Sequence, residues 1–153
     1  MQIAEKDQLF AECFRVLRPG GLLALHEIFA GPGGSPHFPL SWAVDPAMSS
    51  LEPWDACAKR LLRLGFTVGP FLDHSEAGRQ YHSANIVALQ QAVTEQRGAD
   101  GRSAEATKTR LQTATSMERN LREGRLQVAM SVHVKQGTSV EESLLVNRAK
   151  RKG

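Results

Sequence analysis

Residues 14–29, FRVLRPGGLLALHEIF, constrain the fold more than any other stretch of this 153-residue chain. Upstream, Leu9, Phe10, Cys13, Phe14, Val16 and Leu17 recur at spacings of three and four, so Glu5 to Leu17 is predicted to be a helix with one apolar face. Arg18-Pro19-Gly20-Gly21 stops it: proline fixes its own φ, and Gly20 is free to take the positive φ of a type II turn. Leu22-Leu23-Ala24-Leu25 is then apolar without alternation, as expected for a strand covered on both faces by helices in a parallel sheet. His26 and Glu27 bring polarity to the carboxyl end of that strand, where open α/β sheets place their ligands. Ahead of it the sequence holds one helix only, with no room for a glycine-rich phosphate or nucleotide loop and its strand.

The rest of the chain continues the α/β pattern. Glu52 to Gly65 reads as a helix with Pro53 and Asp55 in its first turn, Trp54, Cys57, Ala58, Leu61 and Leu62 on one face, and Gly65 at its end. Phe66 to Leu72 reads as a strand in which Gly69-Pro70 demands a bulge or an edge position. A helix is expected over 75–97, a break at Gly98-Ala99-Asp100-Gly101, and a second helix from Ser103 to Glu123 with Leu111, Ala114, Met117 and Leu121 on a thin apolar face. Leu126, Val128, Met130, Val132 and Val134 alternate with more polar neighbours, the period of a strand with one more exposed face. Ser139 and Glu142 form a candidate capping box for a short helix in a basic tail, residues 136–153, to which no function is assigned.

Composition excludes several classes. A 41% hydrophobic content with no apolar run long enough for a membrane span, and no signal-peptide start, leads to the expectation of a soluble cytoplasmic protein without a membrane partner. Net charge is +3, concentrated at Arg148, Lys150, Arg151 and Lys152, too slight to imply a specific nucleic-acid partner. Cys13 and Cys57 lie on apolar helix faces, and His74, His82 and His133 are isolated, so no metal site and no reactive thiol are expected. No nucleophile elbow or paired catalytic carboxylates occur, and no catalytic residue is assigned.

Residues that carry recognition chemistry are few. Glu27 either orients an amine or hydroxyl ligand or anchors the following loop through backbone N–H groups. Residues 30–46 hold four prolines and three glycines, which preclude regular structure, yet His37, Phe38, Leu40 and Trp42 offer an apolar and aromatic surface. Those rings either enclose a ligand or pack on the domain as a loop anchor.

Residues 1–29 resemble the helix, L-x-P-G-G turn and strand that follow the cofactor-binding half of class I S-adenosylmethionine-dependent methyltransferases, in particular the sarcosine/dimethylglycine and quinone-ring type. FAGPGGSPHFPLSWAVDP, the helix-Gly-Phe-strand unit at 53–72 and RNLREGRLQVAMSVHVK match in order, over residues 1–135. The resemblance implies a partial Rossmann-like sheet of about three strands, the last antiparallel, with a helical insertion before it. It implies S-adenosylmethionine-dependent methyl transfer to a small molecule, with Glu27, His37, Phe38 and Trp42 on the acceptor side. Such transfer needs alignment more than acid or base catalysis, because the sulfonium carries the reactive methyl group. The family's glycine-rich cofactor loop and the acidic residue after its second strand have no counterpart here, and glycines 31, 33 and 34 follow the wrong strand. The expectation is therefore a fragment lacking the cofactor half, so that S-adenosylmethionine belongs to the parent family rather than to this chain. The alternative is a non-catalytic remnant that self-associates or docks on a partner through the sheet edge left exposed.

Overall fold

The computed structural model describes residues 2–95 and 103–137. The order is α1 (Lys6–Val16), β1 (Leu22–Ala30), a short 3-10 turn (Pro46–Met48), α2 (Trp54–Leu64), β2 (Phe66–Thr67), β3 (Leu72–Asp73), α3 (Ser75–Thr94), α4 (Ala104–Arg122) and β4 (Leu126–Lys135). β4 is the middle strand. It pairs antiparallel with β1 from Leu22–Val134 through Ala30–Leu126, and on its other side with β2 and β3. This is the expected partial α/β sheet with an antiparallel last strand, and α3 and α4 form the helical insertion before it. Among the described residues no helix is long and apolar enough to cross a membrane.

The proline-glycine turn works as its sequence requires. Gly20 has φ 74°, and the Gly21 N–H donates to the Arg18 carbonyl at 2.8 Å. The same turn pins the end of β4, since Gly20 N donates to Lys135 O and Lys135 N to Gly21 O, both at 2.9 Å. The Lys135 ammonium then donates to the Phe14 and Leu17 carbonyls at 2.6 and 2.8 Å, capping α1, and stands 4.3 Å from the Phe14 ring centroid. α2 ends at Gly65, whose φ of 95° is the left-handed conformation that favours glycine there.

Helices α1 and α2 cover one face of the sheet through Phe10, Phe29, Cys57, Leu61, Phe66 and Ala129. On the other face α4 packs only at the far end, where Met117 and Leu121 meet Leu126, Ile28 and Val128.

Four expectations need correction. β1, expected in a parallel sheet with both faces covered by helices, pairs antiparallel with β4 and leaves Leu22 61% exposed, because α1 and α2 both pack on the face of Leu23, Leu25 and Phe29. The strand expected over 66–72 is two short pairs, because at Gly69 the backbone runs so close to β4 that an added Cβ would lie 2.1 Å from the Val132 carbonyl oxygen. Val16 and Leu62, placed on apolar helix faces by their spacing, are exposed at 66% and 57%. In β4 the apolar set is the outer one: Met130, Val132 and Val134 are exposed, whereas Ala129, Ser131 and His133 are buried. The physical reason is close approach, since α2 and Trp54 lie on β4's small and polar residues and leave the branched ones uncovered. The break at 98–101 and the capping box at Ser139 and Glu142 lie outside the described residues.

Burial of His133 follows from this inversion. Its ring stacks on Trp54 at a centroid distance of 5.9 Å and 29°. Nδ1 accepts the Gly69 N–H at 3.4 Å, which leaves Nε2 to donate to Ser131 Oγ at 2.9 Å. Burial pushes this imidazole below its ordinary value, as it does for His82. A histidine held neutral stabilises the fold above its unfolded value of 6.5, and that contribution is lost as pH falls through the window down to the lowered folded value. Thermal stability should therefore decline below pH 6.5, with a limiting slope of about 1.4 kcal/mol per pH unit for one proton. His133→Gln should remove its share of that slope in melts followed by circular dichroism and leave the share of His82. An unchanged slope would refute the assignment.

Candidate functional site

Alternation along β1 sends Leu23, Leu25, Glu27 and Phe29 toward α1 and α2, and Leu22, Ala24, His26 and Ile28 to the opposite face. Glu27 thereby lines a cavity of about 170 Å³ with Lys6, Phe10, Leu25, Glu52 and Cys57. Its Oε1 accepts the Ile28 N–H at 2.9 Å. Arg60 donates to both oxygens of Glu52, at 2.8 and 3.0 Å, and to Asp7 at 2.6 Å, tying α2 to α1 and to the chain just ahead of α2. Lys6 donates to the carbonyls of Ile3 and Ser50 and closes the cavity's outer rim. Burial, with the Glu52 carboxylate second, pushes the Cys57 thiol up to about 11, so it stays protonated at neutral pH and is no nucleophile. The wall is mainly apolar, with the Glu27 and Glu52 carboxylates and the Lys6 ammonium as its charged groups.

The segment after β1 is held fast by α4 and the turn that follows it. Gly31 N donates to Arg125 O at 2.8 Å and Gly33 N to Gly124 O at 2.9 Å. The Asn120 side chain clamps His37 from both sides: Oδ1 accepts the His37 N–H and Nδ2 donates to the His37 carbonyl, each at 2.8 Å, while Ser116 Oγ donates to the same carbonyl at 2.8 Å. His37 Nε2 lies 2.8 Å from the Glu123 carboxylate, which also accepts from Arg119 and Arg125. Hydrogen bonds from Arg119 first, then Arg125 and His37, hold the Glu123 carboxyl well below the usual carboxylate range.

Glu27 and His37 are therefore on opposite sides of the sheet. Phe38 and Trp42 pack with Leu40, Met117, Leu121 and Leu126, and the Trp42 indole donates to Ser49 Oγ at 3.1 Å. Three of the four candidate residues come together as a loop anchor, and Glu27 stands apart at the cavity. Sequence reasoning missed Asn120 and Ser116, although two polar residues four apart on the apolar face of Met117 and Leu121 were the available signal.

Two glycines of this loop meet neighbouring backbone rather than open space. A Cβ on Gly31 or Gly33 would lie 2.1 Å from the Gly124 carbonyl oxygen or 2.2 Å from that of Glu123, so both glycines serve chain-to-chain contact. No group of three His, Cys, Asp or Glu among them is placed to hold a metal ion.

Asn120→Ala should destabilise the chain by about 1–3 kcal/mol in urea unfolding, because it leaves the His37 N–H without its partner in a half-buried site and the His37 carbonyl with Ser116 Oγ alone. Glu123→Gln should have a smaller effect, since the backbone clamp remains. A neutral Asn120→Ala would mean that the loop is held by its rings alone.

No protein-family profile and no curated protein matches this sequence. Solved structures do. A putative sarcosine dimethylglycine methyltransferase from Galdieria sulphuraria superposes with a TM-score of 0.69 at 14% identity, over 89% of this chain and 49% of that one. The cyclopropane synthase MmaA2 from Mycobacterium tuberculosis gives 0.68 at 19% identity, over 84% and 49%. The Haemonchus contortus Phospholethanolamine N-methyltransferase 2, in complex with phosphomonomethylethanolamine and S-adenosylhomocysteine, gives 0.71 at 14% identity, over 89% and 31%. The chain has part of the class I S-adenosylmethionine-dependent methyltransferase fold, and it spans half or less of the length of these structures.

Proposed function

We propose that this chain is the acceptor-side part of an S-adenosylmethionine-dependent methyltransferase acting on a small amine. The observation that carries this reading is the cavity beside β1, whose largely apolar wall sets two carboxylates, Glu27 and Glu52, against one ammonium, Lys6, which donates to the Ile3 and Ser50 carbonyls. Two of the structural neighbours are named for small amine acceptors, sarcosine or dimethylglycine and phosphomonomethylethanolamine, which agrees with a pocket built for a compact cation. In this reading Glu27 holds the amine, while His37, Phe38 and Trp42 keep the covering segment in place and act on the acceptor only through it. The cofactor side comes from residues other than those described, and a soluble cytoplasmic location goes with the proposal.

A second reading, a non-catalytic domain that acts by self-association or docking, draws on one observation, the unpaired side of β1 opposite β4.

Calorimetric titration separates the two. The chain alone should bind sarcosine or phosphomonomethylethanolamine weakly and should not bind S-adenosylhomocysteine. Glu27→Gln should weaken amine binding about tenfold, the loss of one charge-assisted hydrogen bond. If neither amine binds, or if Glu27→Gln leaves binding unchanged, the acceptor assignment fails.

A further inference from the structure

His26 and His74 converge across the sheet although their strands are not neighbours. β1 and β3 flank β4 on opposite sides, and Met130 lies opposite His26 of β1 and opposite Leu72 of β3. His74 follows β3 directly and stays beside β4 through its N–H, which donates to the Val128 carbonyl at 2.8 Å. Neighbouring strands lie about 4.8 Å apart, so the backbones that carry the two histidines are separated by about 10 Å. Their ring centroids are 6.2 Å apart, with the planes at 71°. Both imidazoles therefore lean inward over β4, on the face that Met130 shares with His26 by register.

The ring nitrogens of this pair are open, unlike those of the other histidines. His37 is tied to Glu123, His133 to Gly69 and Ser131, and His82 buries its Nδ1. His26 and His74 are exposed, and neither ring is hydrogen-bonded to another described residue. A neutral imidazole with a free lone pair is a ligand for zinc, copper, iron or nickel. A metal about 2 Å from a ligating nitrogen lies about 3.2 Å from that ring's centroid, so one ion can bridge rings whose centroids are up to about 6.4 Å apart. The observed 6.2 Å falls inside that limit at its wide end, where the two nitrogens stand almost opposite each other across the ion.

The surroundings select the ion. No third His, Cys, Asp or Glu among the described residues joins the pair. The nearby carboxylates are engaged elsewhere, Asp73 with the Ser75 N–H and Glu76 with Arg79 and Gln80. What stands between the two histidine-bearing segments is Met130, 39% exposed. A thioether is a soft ligand that favours monovalent copper and adds little for zinc. A wide angle between the nitrogens also suits monovalent copper, whereas zinc draws its ligands toward a tetrahedron. His74 precedes α3 directly, and the positive pole at that helix's amino end opposes a divalent ion more than a monovalent one. We propose that His26 and His74, reaching toward each other over β4, form with the Met130 thioether a site for one monovalent copper ion. It lies on the sheet face opposite the Glu27 cavity and is independent of the methyl-transfer reading.

The test titrates the full chain, under anaerobic and reducing conditions, against bicinchoninate as a coloured competitor for monovalent copper. The expected result is one copper withdrawn from the chelator per chain, with X-ray absorption reporting two nitrogen ligands and one sulfur. His26→Phe and His74→Phe should each weaken copper binding by about tenfold or more, and Met130→Leu should weaken it by about tenfold while leaving a looser zinc binding unchanged. Both histidines are exposed and His74 makes no side-chain cap on α3, so circular dichroism should show these variants folded. Cys13, the less buried of the two free cysteines, is the competing soft ligand, and Cys13→Ser should leave copper binding as it was. The proposal is overturned if no copper is withdrawn, if the double variant of both histidines keeps it, or if Cys13→Ser loses it. Zinc bound as tightly as copper, or Met130→Leu without effect, overturns it as well, because the ion is assigned through the thioether.

Discussion

Every other part of this structure hangs on the antiparallel ladder between β1 and β4. It joins residues 22–30 to residues 126–135 in unbroken register, so about a hundred residues of chain must close into a loop before its first bond forms. What returns the chain to β1 is not the ladder alone. The proline-glycine turn grips Lys135 at one end, and the Gly31 and Gly33 amides grip the turn after α4 at the other. Both grips need backbone within van der Waals contact of backbone, which is why glycine stands at positions 21, 31 and 33, where a Cβ would strike a carbonyl oxygen. The helical hairpin of α3 and α4 is an excursion whose main service to the sheet is to deliver Asn120 and Ser116 to the His37 backbone.

The sequence made the elements legible and their environment less so. Periodicity located α1, α2, α4 and β4 to within one or two residues, because each has a strong repeat and a glycine, proline or polar cap at its end, whereas β1 runs on to Ala30, three residues past its expected end at Glu27. It misled about β4 because period two tells which residues share a face and not which face is covered. Small residues such as Ala129 and Ser131 admit a helix and Trp54 close to the sheet, and that closeness decided burial against the branched residues. Glycines 31 and 33 were recognised as unsuited to a cofactor loop, but their close approach to the backbone around residues 123–125 is a long-range contact that no local pattern encodes. The four candidate site residues divide for a similar reason: Glu27 was placed by its position on β1, whereas His37, Phe38 and Trp42 were placed by partners 75 or more residues away.

Glu27 illustrates how one side chain serves fold and chemistry together. A carboxylate that accepts the following N–H neutralises a donor at the sheet edge and is oriented by it, leaving its position at the cavity wall defined by the strand rather than by a flexible rotamer. The neighbouring Glu52 is held differently, by one Arg60 nitrogen that donates to both of its oxygens and compensates its charge. Two carboxylates in one small wall are thus held in different ways: Arg60 supplies Glu52 with its counter-charge, and the Ile28 N–H orients Glu27.

The same hydrogen bond bears on assembly. Edge strands invite unwanted pairing, and natural sheets blunt them with charge or with local capping. Here the capping is confined to the carboxyl half of β1, where Glu27 and Glu52 take the outward donors next to the cavity. The amino half, Leu22 to His26, carries no such protection and stands beside uncovered Val132 and Val134. A strand guarded along its whole length would be a finished edge, and one unguarded throughout would be a general hazard. Here the guard sits only where the cavity opens, so one bond, from the Ile28 N–H to the Glu27 carboxylate, both blunts the edge and orients a carboxylate of the cavity wall.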